Sequence, residues 1–177
     1  MKIAICSSSN DSIDNKYKET ARKIAKFLAE NNYDLIWGAA SYSIMGICYE
    51  EFAKHNRKIY GFTTKKYMDD LKNLPHATHK ICNNTFEMKK EIFNNADIIL
   101  FLEGGTGTIS ELFTYIEEVR SNDVNKKLII YNENKHFDIV ISLINDLVKR
   151  NFNSDNIFNY FKIVNNLDGL KREFKEV

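Results

Sequence analysis

Asp97-Ile98-Ile99-Leu100-Phe101-Leu102-Glu103-Gly104-Gly105-Thr106-Gly107-Thr108-Ile109-Ser110-Glu111 is an apolar run, a glycine turn and the head of a helix, in that order. The run up to Leu102 has strand length and no polar alternation, as expected of a strand buried on both faces. Behind the turn, Leu112, Tyr115, Ile116 and Val119 recur at helical spacing. Three of the chain's seven glycines fall within four positions, where backbone can come close to a bound group. A strand, a glycine turn and a helix start together form an anion site, because the first helical N–H groups lack partners and stand at the positive end of the dipole. Phosphate is the usual occupant, and Thr106 and Thr108 add hydroxyl donors. The other reading is a tight strand-to-helix turn that needs glycine for geometry alone.

The same alternation runs outward in both directions. Strands are predicted over residues 2–6, 33–37, 58–62, 80–82, 97–102, 127–131 and 161–164. Helices are predicted over residues 15–31 (inner face Ile24, Phe27 and Leu28), 44–55, 85–95, from the glycine turn to about 122, 137–151 and 167–176. Residues 63–79 show no clear period, and Pro75 breaks any long helix there. Alternating strands and helices give an α/β fold with a mostly parallel sheet covered on both faces. No repeat, low-complexity tail or linker divides the chain, so its 177 residues are expected to form one domain.

Bulk properties narrow the function. A net charge of +1 gives no general attraction to nucleic acid or membrane, so recognition must be local. Cys6, Cys48 and Cys82 are odd in number and lack metal-type pairing, as expected of reduced thiols in a cytoplasmic protein. Cys6 reads either as a nucleophile or as a small buried residue at a strand end. His55, His76 and His79 have no metal spacing, and His136 stands just before a helix. No stretch approaches the roughly 20 apolar residues of a membrane span, and residues 1–6 read as a strand rather than a signal peptide. The expectation is a protein with no metal and no organic cofactor, and with neither nucleic acid nor membrane as partner.

Ligands on parallel sheets bind beyond the carboxyl ends of strands. That rule gathers residues 7–10, 38–46 and 103–108, all rich in small or hydroxyl side chains. The glycines lack G-x-G-x-x-G spacing and are not followed by the Gly-Lys-Ser/Thr of a P-loop. Trp37 and Tyr42 flank the second loop and could stack on a base or serve as packing.

These residues resemble the Lonely Guy (LOG) family, often labelled possible lysine decarboxylases. Glu103 to Glu111 match the family motif P-G-G-x-G-T-x-x-E at every defined position except the leading proline. Cys6-Ser7-Ser8-Ser9 resembles its C-G-S-S, and Trp37-Gly38-Ala39-Ala40-Ser41-Tyr42-Ser43-Ile44-Met45-Gly46 is similar to its Y-G-G-G-x-x-G-L-M-G. The matches follow the family's order and extend to about Leu147. The resemblance implies a Rossmann-like three-layer αβα fold, a homodimer and a phosphoribohydrolase. Such an enzyme uses water to cut the N-glycosidic bond of a nucleoside 5′-monophosphate, releasing a free base and ribose 5-phosphate.

On that resemblance Gly104, Gly105, Thr106, Gly107 and Thr108 hold the 5′-phosphate, and Ser8, Ser9 and Gly38 line the opposite wall. Glu111 stabilises the positive charge that develops on the ribose or orients water, as a nearby carboxylate can. The family pairs this glutamate with an arginine and lysine step, which falls here on Met88 and Lys89. Lys89, in the lysine position, or the adjacent Lys90 is the expected cationic partner, the other reading being that both are solvated helix lysines. Glu103, in the proline position, must point away from the phosphate, be neutralised by a lysine, or bind polar groups such as ribose hydroxyls. Met88 and Glu103 are both expected to bear on substrate. They also keep open an altered substrate preference or a non-catalytic nucleotide sensor on the same fold; a ribosyl transferase is a separate third reading.

Overall fold

The structure, a computed structural model, describes residues 1–122 and 124–175. Seven strands, β1 (Lys2–Cys6), β2 (Asp34–Trp37), β3 (Ile59–Thr64), β4 (Thr78–Cys82), β5 (Ile98–Phe101), β6 (Lys127–Tyr131) and β7 (Lys162–Val164), form one sheet. Its order is β4-β3-β2-β1-β5-β6-β7, and every neighbouring pair is parallel. The helices are α1 (Asn15–Glu30), α2 (Ser43–Lys54), α3 (Thr85–Asn95), α4 (Thr106–Asn122), α5 (Asp138–Lys149) and α6 (Leu167–Lys175).

Alternation of side chains along each strand makes two cores. Ile3 and Ile5 of β1, with Ile98 and Leu100 of β5, pack under α1, α2 and α6. Ala4 and Cys6, with Ile99 and Phe101, pack under α3, α4 and α5. Both faces of the central strands are thus dry, which is why they read as unbroken apolar runs. Asp14 caps α1 by accepting from the Lys16 amide at 3.0 Å. Asn84 caps α3 by accepting from the Glu87 amide at 2.9 Å, and Glu87 reaches back to the Asn83 amide at 2.8 Å.

The sheet is wholly parallel where a mostly parallel one was expected. The aperiodic stretch contains a 3₁₀ segment, Lys65–Asn73, β3 runs on to Thr64, and β4 begins already at Thr78. The last expected helix residue, Glu176, lies outside the described residues. Among the described residues, no helix is long and apolar enough to cross a membrane. β1 lies between β2 and β5, and the chain leaves β1 and β5 toward opposite faces. The loops that follow them therefore diverge and open a crevice at the carboxyl edge.

Candidate functional site

That crevice is a cleft of about 540 Å³ beyond the carboxyl ends of β1, β2, β3 and β5. One wall is the start of α4. The Ile109 amide is the first there to bond a carbonyl, that of Gly105 at 3.1 Å, so the Thr106, Gly107 and Thr108 amides point out of the helix end. Gly105 and Gly107 both line the cleft, and a Cβ on either would meet nothing within 4 Å. Neither has a positive φ, so glycine there keeps space open rather than permitting a turn. α2 also begins at the cleft, but two of its first three amides are occupied from outside the helix. Ser43 donates to Asp11 Oδ1 at 2.8 Å and Met45 donates to the Ser8 carbonyl at 3.3 Å. The anion-ready end is that of α4.

Glu111 stands on the second turn of α4 with its side chain on the cleft. Burial pushes its carboxyl up to about 7, opposed by a hydrogen bond from the Cys6 thiol and by the charge of Lys89. Burial, with the facing Glu111 carboxylate, holds the Cys6 thiol well above its ordinary range, so Cys6 is a neutral thiol beside Glu111 and no thiolate nucleophile. Lys89 Nζ donates to Ser110 Oγ at 2.5 Å. A carboxyl that titrates near neutrality, beside a cation and an open anion cradle, can take up or release a proton in water at pH 7.

The wall on the β3 side is built differently. Thr63 and Thr64 end β3, and Tyr67 and Asp70 follow on the 3₁₀ segment, all four lining the cleft. Asp70 fastens this segment to the β2–α2 loop. Its Oδ2 accepts from the Ser41 amide at 2.7 Å and its Oδ1 from Ser41 Oγ at 2.5 Å. Ala39 within that loop and Ser43 at the head of α2 take φ values of 53° and 57°, which favour glycine. Strain of this kind persists where surrounding contacts dictate it. Burial first, then the nearby Asp70, the Tyr67 phenol and Asp11, raise the Tyr42 hydroxyl above its ordinary range.

The cleft brings together Ser8, Ser9, Gly38, Met88, Lys89, Gly105, Thr106, Gly107, Thr108 and Glu111. Two expected site residues stand outside its walls. Gly104 lies behind the turn, with its carbonyl 2.8 Å from His136 Nε2, and Thr108 fills the space where its Cβ would go. Glu103 is 2% exposed and accepts from Asn134 Nδ2 at 2.9 Å, on the side of the β6–α5 loop. Of its three expected fates it follows the first and points away. Trp37 is core, stacked on Tyr49 at 5.9 Å and an interplanar angle of 17°, so it offers no ring to a ligand.

Sequence reasoning missed Cys6 as partner of Glu111, together with Tyr67 and Asp70. For Cys6 the signal was its place at the end of β1 beside β5. Tyr67 and Asp70 sit in the stretch without periodicity and left no signal. Among the described residues no three His, Cys, Asp or Glu side chains cluster as metal ligands.

A family model described as "Possible lysine decarboxylase" matches residues 45–174. A probable cytokinin riboside 5′-monophosphate phosphoribohydrolase, LOG4 of Oryza sativa subsp. japonica, is 24% identical over 90% of this chain and 70% of its own. The cytokinin riboside 5′-monophosphate phosphoribohydrolase LOG1 of Arabidopsis thaliana is 26% identical over 84% of this chain and 71% of its own. Against a third relative, rice LOGL6, the chain spans 61% of the relative's length. Among solved structures, the molybdenum cofactor binding protein of Rippkaea orientalis superposes with a TM-score of 0.68 at 12% identity, covering 99% of this chain and 95% of that one. The molybdenum cofactor carrier protein of Chlamydomonas reinhardtii gives 0.67 at 11% identity, over 99% and 96%. Identities this low speak for the fold alone. The family match spans more than half the chain and takes in the glycine turn, Lys89 and Glu111, so this protein is a divergent member of the LOG, or possible lysine decarboxylase, family.

Proposed function

We propose that the cleft binds a nucleoside 5′-monophosphate and hydrolyses its N-glycosidic bond, as the names of the LOG relatives describe for cytokinin riboside 5′-monophosphates. One observation carries this reading. The unpartnered amides of Thr106, Gly107 and Thr108 share a helix end with a carboxyl that titrates near neutrality. Glu111 lies four residue steps beyond Gly107, about 6 Å along the axis. That is comparable to the span of ribose 5-phosphate from phosphorus to anomeric carbon.

The 5′-phosphate sits on the helix N-terminus with the exposed hydroxyl of Thr106 in reach, while the Thr108 side chain folds back over Gly104 and supplies only its amide. As the bond from C1′ to the base nitrogen breaks, its electron pair leaves with the base and C1′ takes on positive charge. The ionised Glu111 carboxylate stabilises that charge and accepts one proton of the water that adds to C1′; that proton is then passed, directly or through solvent, to the nitrogen of the departing base, which leaves neutral and returns Glu111 to its ionised form. Lys89 and the Cys6 thiol favour the ionised form, which is the form the step requires. The buried, outward-turned Glu103 leaves the phosphate end free of a second carboxylate.

A second reading, binding without cleavage, is favoured by Met88, which lines the cleft where an arginine would supply charge. The two separate when the protein is incubated with a panel of nucleoside 5′-monophosphates and free base is measured by chromatography. Base release that is lost in Glu111→Gln supports hydrolysis. Tight binding with no release supports a sensor. Transfer of the ribosyl group would show as a new nucleotide once a second base is added.

A further inference from the structure

In the sheet order β3 lies three inter-strand steps from β5, about 14 Å at the usual strand spacing. A ligand anchored by phosphate beyond β5 therefore extends its other end toward β3. The wall it meets there is the nine-residue segment Lys65–Asn73, none of whose residues is buried. 3₁₀ helices seldom run beyond four residues because their hydrogen bonds are poorly aligned. Leu71 rests half-buried against the core, and Leu74, fully buried, ends the segment.

Its firm attachment is Asp70. Besides the two bonds from Ser41, Oδ1 accepts from Asn73 Nδ2 at 2.8 Å, which orients the carboxylate within its own segment. The receiving side is rigid. The Ser41 carbonyl lies so close to α2 that a Cβ on Gly46 would come within 2.4 Å of it. Ser43 is held at both its amide, by Asp11, and its hydroxyl, by the Asn10 carbonyl at 2.7 Å. Tyr67 precedes Asp70 by one 3₁₀ turn and Tyr42 follows Ser41 directly, so each side of the attachment carries a phenol ring. Both rings line the cleft and remain open to solvent, 49% for Tyr67 and 40% for Tyr42.

We propose that Asp70 is a positioning residue, a latch to Ser41 that closes Lys65–Asn73 over the cleft and sets Tyr67 against Tyr42 as a clamp for the planar ring of the ligand. The identity of the ligand rests on the proposed function, whereas the latch does not.

Lys65, Lys66 and Lys72 make the segment cleavable by trypsin, and fragment masses identify cuts there. With fast closing, such cuts report the open population. Without ligand, Asp70→Ala is cut within the segment about tenfold faster than the parent, as expected for lost hydrogen bonds to a charged group. Ser41→Ala, which removes one hydroxyl, falls between the two and carries the comparison should Asp70→Ala not fold. Adenosine 5′-monophosphate slows the cuts in the parent, and ribose 5-phosphate, which lacks the ring, does not. Tyr67→Leu keeps the parent's ligand-free rate and loses the nucleotide's protection. In turnover, Asp70→Ala raises KM about tenfold and holds kcat within about twofold. Equal ligand-free rates for the parent, Asp70→Ala and Ser41→Ala overturn the latch, whatever the ligand does. Equal protection by the two ligands, or protection by neither, overturns the clamp. If in addition no nucleoside monophosphate releases base, the proposed function falls separately, and the ligand-free rates still decide the latch.

Discussion

The Tyr115 hydroxyl donates to the backbone carbonyl of Lys89 at 3.0 Å, joining the helix that carries the cation to the helix that carries the carboxylate. Tyr115 is fully buried one turn after Glu111, with its ring against Phe93 and Phe101 at 5.3 and 6.2 Å. Tyr115→Phe removes this bond without stranding a donor, which costs about 1 kcal/mol. For a chain of this size the melting temperature should fall by about 2–4 °C in scanning calorimetry. Base release should fall several-fold, with kcat more affected than KM, because Lys89 loses its fixed distance from Glu111.

The glycines of the turn separate into packing and binding roles. A Cβ on Gly104 would lie 2.1 Å from Thr108 Oγ1 and 2.6 Å from Thr108 Cβ. Gly104→Ala is therefore expected to destabilise the protein by about 1–3 kcal/mol, measured by urea unfolding. Gly107→Ala enters open space and gains up to about 1 kcal/mol of helix propensity. The same methyl narrows the anion cradle, so affinity for ribose 5-phosphate should drop while stability holds or rises.

Glu111 links stability to pH. Its folded carboxyl, near 7, lies above the ordinary glutamate value of 4.5. Between those values the native state holds a proton that the unfolded chain has released, so stability falls as pH rises through that window. Glu111→Gln removes this loss. It should unfold later than the parent at pH 8, by roughly 3 kcal/mol, and show no advantage below about pH 4.5. A stabilised but inactive variant is expected where a site keeps a costly charge for its chemistry.

Lys89 sets where that charge appears. The ionised carboxylate is the working form, so kcat/KM should rise with pH through the free-enzyme value near 7. Lys89→Met removes the positive charge that favours ionisation and should move this rise to higher pH. A pH profile whose rise stays in place would show that Lys89 does not act on Glu111.

How far the sequence revealed this site depended on the kind of signal each part leaves. β1, β5 and α4 were legible because apolar runs without alternation and a 3.6-residue period are local patterns. The anion end of α4 was legible for the same reason, since glycines, threonines and a helix start are neighbours in the chain. Gly104 was grouped with the binding glycines because sequence does not show that Thr108 folds back over it. Glu103 could not be oriented, since its partner Asn134 arrives from the β6–α5 loop. Tyr67 and Asp70 were invisible because a 3₁₀ segment without buried residues has no hydrophobic period, and the partner of Asp70 lies 29 residues away. Trp37 read equally as a ring for a ligand or as packing, and its strand decides for packing by placing it in the core against Tyr49.

In the proposed reaction, amides at the head of α4 grip a phosphate and set the sugar beside Glu111. Calorimetric titration of ribose 5-phosphate into Glu111→Gln tests it most directly, because binding is then read without turnover and without the carboxylate's charge. Binding is expected to be at least as tight as in the parent, lost when Gly107→Val is added and absent for ribose without phosphate. Binding that survives Gly107→Val, or ribose binding as well as its phosphate ester, would contradict it.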